Sequence, residues 1–330
     1  MSLTSQLSDG KSPIRKFFAT HEDKKGATRC VRMLQGRKLI ALPEYEVTKY
    51  VGHSFTGTTL DYLLRYTANA NNLLFEKTIA AAAVGRANIN YLLGDIDKNG
   101  LFKIKSLFEI GKKFLDGRNA DEEKAIYSGT ALAMTEKYFR SGMLPALFDE
   151  KLSKDKNQQI KKAGKGKTLK EKVVNFLFDE YYEHLGGQSY ANDISNLVRM
   201  FVEGLKTPNS GIYQAKFILG NSDLKNSRLV DGADFDCVIR YQEADILTEI
   251  KTTINSITLP QLRQLIAYAL LYNPKRDRFQ FTHLGFYLAR AADLTYLPLE
   301  EVMNMCLPNF GSIEEARKQF LKSIKPKQRQ

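Results

Sequence analysis

The stretch that decides the fold is Gly232–Thr253, with the sequence GADFDCVIRYQEADILTEIKTT. Two runs of alternating apolar residues flank Tyr241–Ala244, a pattern that predicts two antiparallel strands joined by a tight turn. The predicted register pairs three sets of residues: Arg240 with Asp245, Val238 with Leu247, and Asp236 with Glu249.

This register predicts a polar face and an apolar face for the hairpin, because side chains alternate along a strand and directly opposed residues share a face. The polar face holds Asp234, Asp236, Glu249 and Lys251. Three isoleucines point the other way, toward a core: Ile239, Ile246 and Ile250. A slip of one residue would separate the two opposed acids, so the register is a testable prediction.

The segments around the hairpin predict a mixed α/β arrangement. Further strands are expected at Ala215–Leu219 and Phe281–Leu288, with a helix at Leu259–Tyr272 between the hairpin and the last strand. Upstream, helical periodicity covers residues 57–93, 125–150, 168–184 and 191–205. The sequence therefore predicts an α/β (α+β) protein, with a mixed sheet flanked by helices and an α-rich N-terminal half.

The chain is basic, with 49 Lys and Arg against 37 Asp and Glu in 330 residues and a net charge of +12. Such a charge favours a polyanionic partner such as nucleic acid, although it also suits a protein that is simply well solvated. No run reaches the roughly 18 apolar residues that a membrane span needs, so we expect a cytoplasmic protein without a membrane partner. Three distant cysteines argue against a disulfide framework or a zinc knuckle.

Basic segments divide the chain into three predicted regions: a basic arm with patchy structure at 1–40, a mainly helical region at 41–206, and a core with a basic tail at 207–330. Residues 151–172 contain nine lysines and two acids, which predicts a flexible loop. Arm, loop and tail could contact phosphates without reading sequence, or be plain solvated segments. The loop candidates for nucleic-acid binding are Lys161, Lys162, Lys165 and Lys167.

The acids and the lysine of the polar face suggest a chemistry. Two carboxylates at a buried sheet are costly unless they are paired or hold a cation, and oxygen ligands of this kind suit Mg²⁺ or Mn²⁺. Lys251 lies two residues beyond Glu249, where its charge could steady a phosphate in a hydrolytic transition state. A solvated hairpin with an ordinary Glu–Lys pair is the alternative, because E-x-K alone occurs often by chance.

These residues resemble the PD-(D/E)XK nuclease superfamily, with Asp236 as the "D" and Glu249-Ile250-Lys251 as the "ExK". Gln264 and Tyr268 match the Q-x-x-x-Y motif of its RecB-like branch. The resemblance implies a restriction-endonuclease-like core and a Mg²⁺- or Mn²⁺-dependent deoxyribonuclease. Asp236, Glu249 and the Ile250 carbonyl would ligate the metal, Lys251 would position water, and Gln264 and Tyr268 would orient the lysine or the substrate backbone.

An upstream element of that branch, G-T-x-x-H, is matched imperfectly. Gly57–Tyr62 resembles it with Asp61 in place of the histidine, and an aspartate could complete the metal shell. The rival is Gly129–Leu132, followed by Glu136. Because 174 residues separate Asp61 from Asp236, the helices between them would form an accessory layer.

Arg290, next to the last predicted strand, could touch a phosphate or form a surface ion pair. The resemblance leaves three functional classes open. One is an autonomous nuclease in antiviral defence or DNA processing. Another is a nuclease-fold subunit that works only with a helicase or ATPase partner. The third is a noncatalytic nucleic-acid-binding module.

Overall fold

The computed structural model describes residues 3–35, 54–70, 122–141, 169–230, 232–253, 256–277 and 279–324, together with 107, 109–111, 155 and 158. The chain divides into two compact units. Of the described residues, the sheet unit contains 3–35 and 200–324, and the helical unit contains those between 54 and 199. The predicted lysine loop, with Lys161, Lys162, Lys165 and Lys167, lies outside the described residues, as do residues 71–93, 142–150 and 325–330 of the predicted helices and tail.

The sheet unit is built on five strands: β1 Lys216–Asp223, β2 Asp234–Tyr241, β3 Ala244–Lys251, β4 His283–Leu288 and β5 Asp293–Pro298. They lie side by side in chain order. β3 and β4 are parallel, and every other neighbouring pair is antiparallel. The sheet is therefore mixed, as the sequence predicted, and β3 lies at its centre.

The predicted hairpin register is confirmed where the strands pair. Val238 lies opposite Leu247 and Arg240 opposite Asp245, whose carboxylate accepts two hydrogen bonds from the guanidinium at 2.7 and 2.8 Å. Gln242 and Glu243 have positive φ values of 47° and 67°, the left-handed conformation of a two-residue hairpin turn. A turn of fixed length holds the register, so the acids of β2 and β3 are brought to the same end of the pair.

The described residues include ten helices. Those of the sheet unit are α1 Leu3–Ser8, α2 Pro13–His21, α3 Lys24–Met33, α8 Leu259–Leu271, α9 Leu299–Cys306 and α10 Ile313–Ile324. The others are α4 Ser54–Ala70, α5 Glu122–Ser141, α6 Leu169–His184 and α7 Gly187–Lys206, the last of which has its residues from Met200 onward in the sheet unit. None of them is long and apolar enough to cross a membrane.

Helix α8 covers one face of the sheet. Thr258 and Gln261 form a capping box at its start, and Pro260 occupies its first turn, as the sequence predicted. Its apolar residues from Leu262 onward are buried in one cluster with Val238 and Leu247 of the hairpin. The opposite face is also buried: Ile239, Ile246 and Ile250 point into it, as predicted, and Phe201 of α7 packs there on Phe217 and Tyr287.

The prediction of a patchy N-terminal arm is wrong for residues 3–35, which form three helices of the sheet unit. Ser12 and Asp23 cap α2 and α3 with their side chains. Ile14, Phe18 and Cys30 are buried in the same cluster as α8. The lysines and arginines of this segment dominated the sequence pattern, but they lie around a narrow apolar stripe that is sufficient to dock the helices.

Candidate active site

The candidate site lies where three elements meet. β2 supplies Asp236, β3 supplies Glu249 and Lys251, and α8 supplies Gln264 and Tyr268. β3 has neighbours on both sides, and α8 lies over one face, so the side chains that β3 directs toward the helix lie away from bulk water.

Glu249 and Lys251 form a buried ion pair. Lys251 Nζ donates to Glu249 Oε2 at 2.9 Å, and the two side chains are only 15% and 5% exposed. The ammonium also lies 6.0 Å from the centre of the Phe286 ring, on the strand beside it. An ordinary pair on the wet face of a hairpin would be mostly exposed, so the structure disfavours that alternative.

Asp236 is held by the backbone of the E-x-K strand. Its Oδ2 accepts a hydrogen bond of 2.7 Å from the amide of Ile250. The regular backbone pairing of β2 with β3 ends one residue earlier, at Cys237 and Thr248, so a side chain takes up the next amide. Sequence spacing did not predict this contact, which fixes the Asp236 carboxylate relative to Glu249. The side chain of Asp234, predicted to share this face, is outside what the structure describes.

Gln264 and Tyr268 join the same cluster through the glutamate. One helical turn apart on α8, they are linked by a hydrogen bond of 2.7 Å from Gln264 Nε2 to the Tyr268 hydroxyl. The Tyr268 hydroxyl in turn hydrogen-bonds to the Glu249 carboxylate. The Q-x-x-x-Y pair therefore reaches the E-x-K motif at its glutamate, whereas the sequence pointed to the lysine or the substrate.

The electrostatics of the cluster raise the pKa values of both Glu249 and Lys251. Burial and the nearby Asp236 carboxylate raise the pKa of Glu249 to about 7, and Lys251 and Tyr268 only partly offset the rise. Burial disfavours the charged form of Lys251, but Glu249 and Asp236 outweigh it, so the pKa of Lys251 is raised. Near neutral pH the ammonium is charged and the glutamate is balanced between its two forms.

One buried oxygen of the cluster, Glu249 Oε1, lacks a hydrogen-bond partner among the described residues. A buried carboxylate oxygen without a partner is costly, and a divalent ion would satisfy it. Asp236 and Glu249 supply only two carboxylates, and the described residues contain no group of three or more His, Cys, Asp or Glu side chains arranged to hold a metal. The donors present suit Mg²⁺ or Mn²⁺, which keep several waters.

The two upstream candidates belong to the helical unit. Asp61 is half-buried on α4, and Glu136 on α5 accepts a hydrogen bond of 2.8 Å from the Tyr62 hydroxyl. The segments around Thr59 and Gly129 pack on each other in the helical unit. Gly129 faces the Thr59 methyl group, and the buried Tyr190 hydroxyl donates to the Thr59 hydroxyl at 2.9 Å. A metal-binding role of Asp61, like that of the Ile250 carbonyl, stays a prediction.

Arg290 was a candidate phosphate contact, but its side chain is buried. It is 4% exposed, and its Nε donates to the Thr252 carbonyl at 2.6 Å. A guanidinium buried in this way supports the chain just beyond Lys251. It offers almost no surface to a polyanion.

A second pair of hydrogen bonds, which the sequence did not predict, also holds this segment. Gln35 Nε2 donates a hydrogen bond to the backbone carbonyl of Ile257, and Gln35 Oε1 accepts one from the backbone amide of Ile257, at 2.9 Å each. The segment between the E-x-K strand and α8 is therefore tied to the end of α3. The contacts of Arg290 and of Gln35 both bridge residues more than 35 positions apart, a separation at which sequence spacing predicts no contact.

Comparisons with protein-family models, curated proteins and solved structures find no significant match to this chain.

Proposed function

We propose that this protein is a metal-dependent nuclease that hydrolyses DNA phosphodiester bonds, with its site at Asp236, Glu249 and Lys251. The observation that supports it best is the buried Glu249, which binds Lys251 through Oε2 and keeps Oε1 free of hydrogen bonds among the described residues. The mixed α/β fold with helices against a central sheet agrees with the restriction-endonuclease-like core that the motifs suggest.

In this proposal Asp236 and Glu249 hold one Mg²⁺ or Mn²⁺, with the Ile250 carbonyl as a further candidate ligand. When bound, the ion supplies a Lewis acid for the phosphate oxygens and the water. Asp236 needs little reorganisation to bind it, because the Ile250 amide already fixes its carboxylate.

Lys251 provides the positive charge. Its raised pKa keeps the ammonium charged at neutral pH, and its contact with Glu249 fixes its position. From there it orients the attacking water and stabilises the negative charge that develops on the phosphate. Because the lysine is 15% exposed, this charge acts in a medium that screens it less than water does.

Gln264 and Tyr268 support the glutamate. The hydroxyl of Tyr268 favours the ionised form of Glu249, and Gln264 fixes the orientation of that hydroxyl. The pair acts through another side chain, so it positions the carboxylate and does not take part in bond breaking.

The test is an assay of the purified chain on linear and circular plasmid DNA with Mg²⁺, Mn²⁺ or EDTA. Glu249→Gln should abolish metal-dependent cleavage, whereas Glu243→Gln, the same change at an exposed position in the turn of the same hairpin, should leave it intact. Lys251→Met should also abolish cleavage, with the exposed Lys225→Met as its control. Full activity in both site variants would refute the proposal.

The same assay separates the other two classes. A silent chain that cleaves once a helicase or ATPase partner is added would make it a subunit of a larger assembly. Binding of DNA that needs no metal and never leads to cleavage would make it a noncatalytic module. Cleavage by the chain alone supports the proposal and fits a role in antiviral defence or DNA processing.

A further inference from the structure

A cavity of about 610 Å³ opens in the sheet unit, beside the edge strand β5. It is bounded by the end of α3, the chain after α7, the β2–β3 turn and β5, and its walls include Met33, Asn209, Tyr241, Gln242, Asp293 and Tyr296. The volume falls in the range of roughly 300–1,000 Å³ that is usual for small-molecule sites. The cluster of Asp236, Glu249 and Lys251 does not line it.

Two tyrosines form one wall of the cavity and are held in place. The rings of Tyr241 and Tyr296 lie 6.1 Å apart, edge to face, and the His283 ring lies 5.4 Å from Tyr296. Gln242 links the two hydroxyls: its Oε1 accepts from Tyr296 and its Nε2 donates to Tyr241, at 3.2 Å each. Rings fixed in this way offer a preorganised surface for a planar ligand.

The remaining wall carries no positive charge among its described residues. Its polar groups are amides and hydroxyls, such as those of Asn209, Ser210 and Thr295. The one charged group is Asp293, which is 6% exposed. A phosphate would find no positive partner inside, whereas a nucleobase would find a ring to stack on and neutral donors and acceptors.

Positive charge begins at the rim. α3 has no acidic residue between Lys24 and Met33, and its exposed residues include Lys25, Arg29 and Arg32 along one side of the helix. In the described part of the chain these three form no ion pair. Met33 adjoins Arg32 in sequence, lies one turn beyond Arg29, is 43% exposed and lines the cavity. The cationic stripe therefore ends at the mouth of the cavity.

One residue that lines the cavity lies in the same row of the sheet as the candidate active site. Asp293 pairs with Leu288, which pairs with Lys251. Two strand spacings, about 10 Å, separate the backbone of Asp293 from that of Lys251. Tyr296 points to the other face of the sheet from Lys251, so a strand of a few nucleotides that reaches both passes around the edge of β5.

We propose that the cavity binds a base of single-stranded nucleic acid against Tyr241, Tyr296 and Met33, while Lys25, Arg29 and Arg32 contact the adjoining phosphates. Stacking rings beside a cationic track are the usual means of binding unpaired strands, because every base has a π-face and duplex DNA hides it. The inference deepens the proposed function and rests on it only in taking the bound strand as the substrate.

The test measures binding alone, so that it does not depend on cleavage. Fluorescence anisotropy is recorded with the Glu249→Gln protein in EDTA and a labelled oligothymidylate of roughly 12 nucleotides. Tyr296→Ala should weaken binding by about 5- to 150-fold, the range of one stacked base. Tyr296→Phe keeps the ring and loses only the bond to Gln242, so it should weaken binding far less than Tyr296→Ala does. Met33→Ala, at an exposed position that cannot disturb the core, should weaken it by a few fold.

The contribution of the cationic stripe on α3 is measured by the salt dependence of binding. Arg29→Ala with Arg32→Ala should weaken binding and lower the slope of log K against log salt by about 1.4, since two phosphate contacts are lost. Lys275→Ala with Arg276→Ala removes the same charge from the exposed α8–β4 loop, outside the cavity, and should change neither quantity appreciably.

Several outcomes would overturn the assignment. These are equal affinity for a duplex of the same length, unchanged affinity in both Tyr296→Ala and Met33→Ala, or binding of adenosine monophosphate without binding of the oligonucleotide. If Tyr296→Ala fails to fold, as judged by circular dichroism, Met33→Ala and the arginine variant decide. Normal strand binding by a parent protein that never cleaves would refute the proposed function and leave this site standing.

Discussion

Folding stability should depend on pH through the single carboxyl group of Glu249. The pKa of this group is about 7 in the folded protein, against an ordinary 4.5 when the chain is unfolded. Between these values the folded state keeps a proton that the unfolded state has released. The contribution of Glu249 is therefore fully present below pH 4.5 and is lost as the pH rises through 7. Each pH unit in that interval is worth about 1.4 kcal/mol, so the whole loss is about 3 kcal/mol.

The measurement is urea unfolding at pH 5, 6, 7 and 8 in EDTA, followed by far-ultraviolet circular dichroism because the chain has no tryptophan. The difference between the parent and Glu249→Gln isolates the carboxyl, since other groups titrate in both proteins. Between pH 5 and pH 8 we expect the free energy of unfolding of the parent to fall by about 2–3 kcal/mol more than that of the variant, because part of the change lies below pH 5. Glu243→Gln, in the exposed turn, should follow the parent.

A divalent ion should reverse the loss. Mn²⁺ added at pH 8 binds the ionised carboxylates of the folded state and stabilises it by mass action, and Glu249→Gln should lose most of this gain. Parallel pH curves for the parent and Glu249→Gln would refute the reasoning, because they would mean that the glutamate keeps its ordinary pKa despite its burial.

Three further predictions concern the groups around the site. Tyr268→Phe should raise the pKa of Glu249 and move the acid limb of the cleavage profile to higher pH. Tyr272→Phe, which removes a hydroxyl that donates to the Phe279 carbonyl, should leave the profile unchanged. Coincident profiles for the two variants would contradict the role of Tyr268. Arg290→Ala should lower the free energy of unfolding, measured in urea, by about 2 kcal/mol, because it leaves the Thr252 carbonyl without its hydrogen bond. The salt dependence of DNA binding should not change. A smaller slope of log K against log salt would instead make Arg290 a phosphate contact. Glu22→Gln should cost about 3–5 kcal/mol of stability because it leaves the buried Arg263 guanidinium without its carboxylate, and a loss below 1 kcal/mol would contradict that.

The sequence predicted the hairpin and its surroundings well for a physical reason. Alternation has a period of two, and only one register places the isoleucines of β2 and β3 in a core, so Arg240 had to face Asp245. The helix of Gln264 and Tyr268 was equally clear, because its apolar stripe and Pro260 define both the face and the start.

Contacts between segments that are distant in sequence could not be predicted from residue spacing. Three examples are the Asp236–Ile250 hydrogen bond, the contact of Arg290 with Thr252 and the contact of Gln35 with Ile257. Helical and strand periodicity relate only residues of the same element, so neither indicates these pairs. β5 was missed because it is short and ends in Pro298, which normally argues against a strand interior. The docking of α1–α3 was missed because their charges outnumber their few buried residues.

The central claim is that Asp236 and Glu249 bind one divalent ion beside Lys251. Anomalous diffraction from crystals grown with Mn²⁺ tests it most directly. The account predicts a single peak about 2.1 Å from Glu249 Oε1 and from an oxygen of Asp236, and its disappearance in Glu249→Gln crystals. The absence of a peak between the two carboxylates of the parent protein at saturating Mn²⁺ would contradict it.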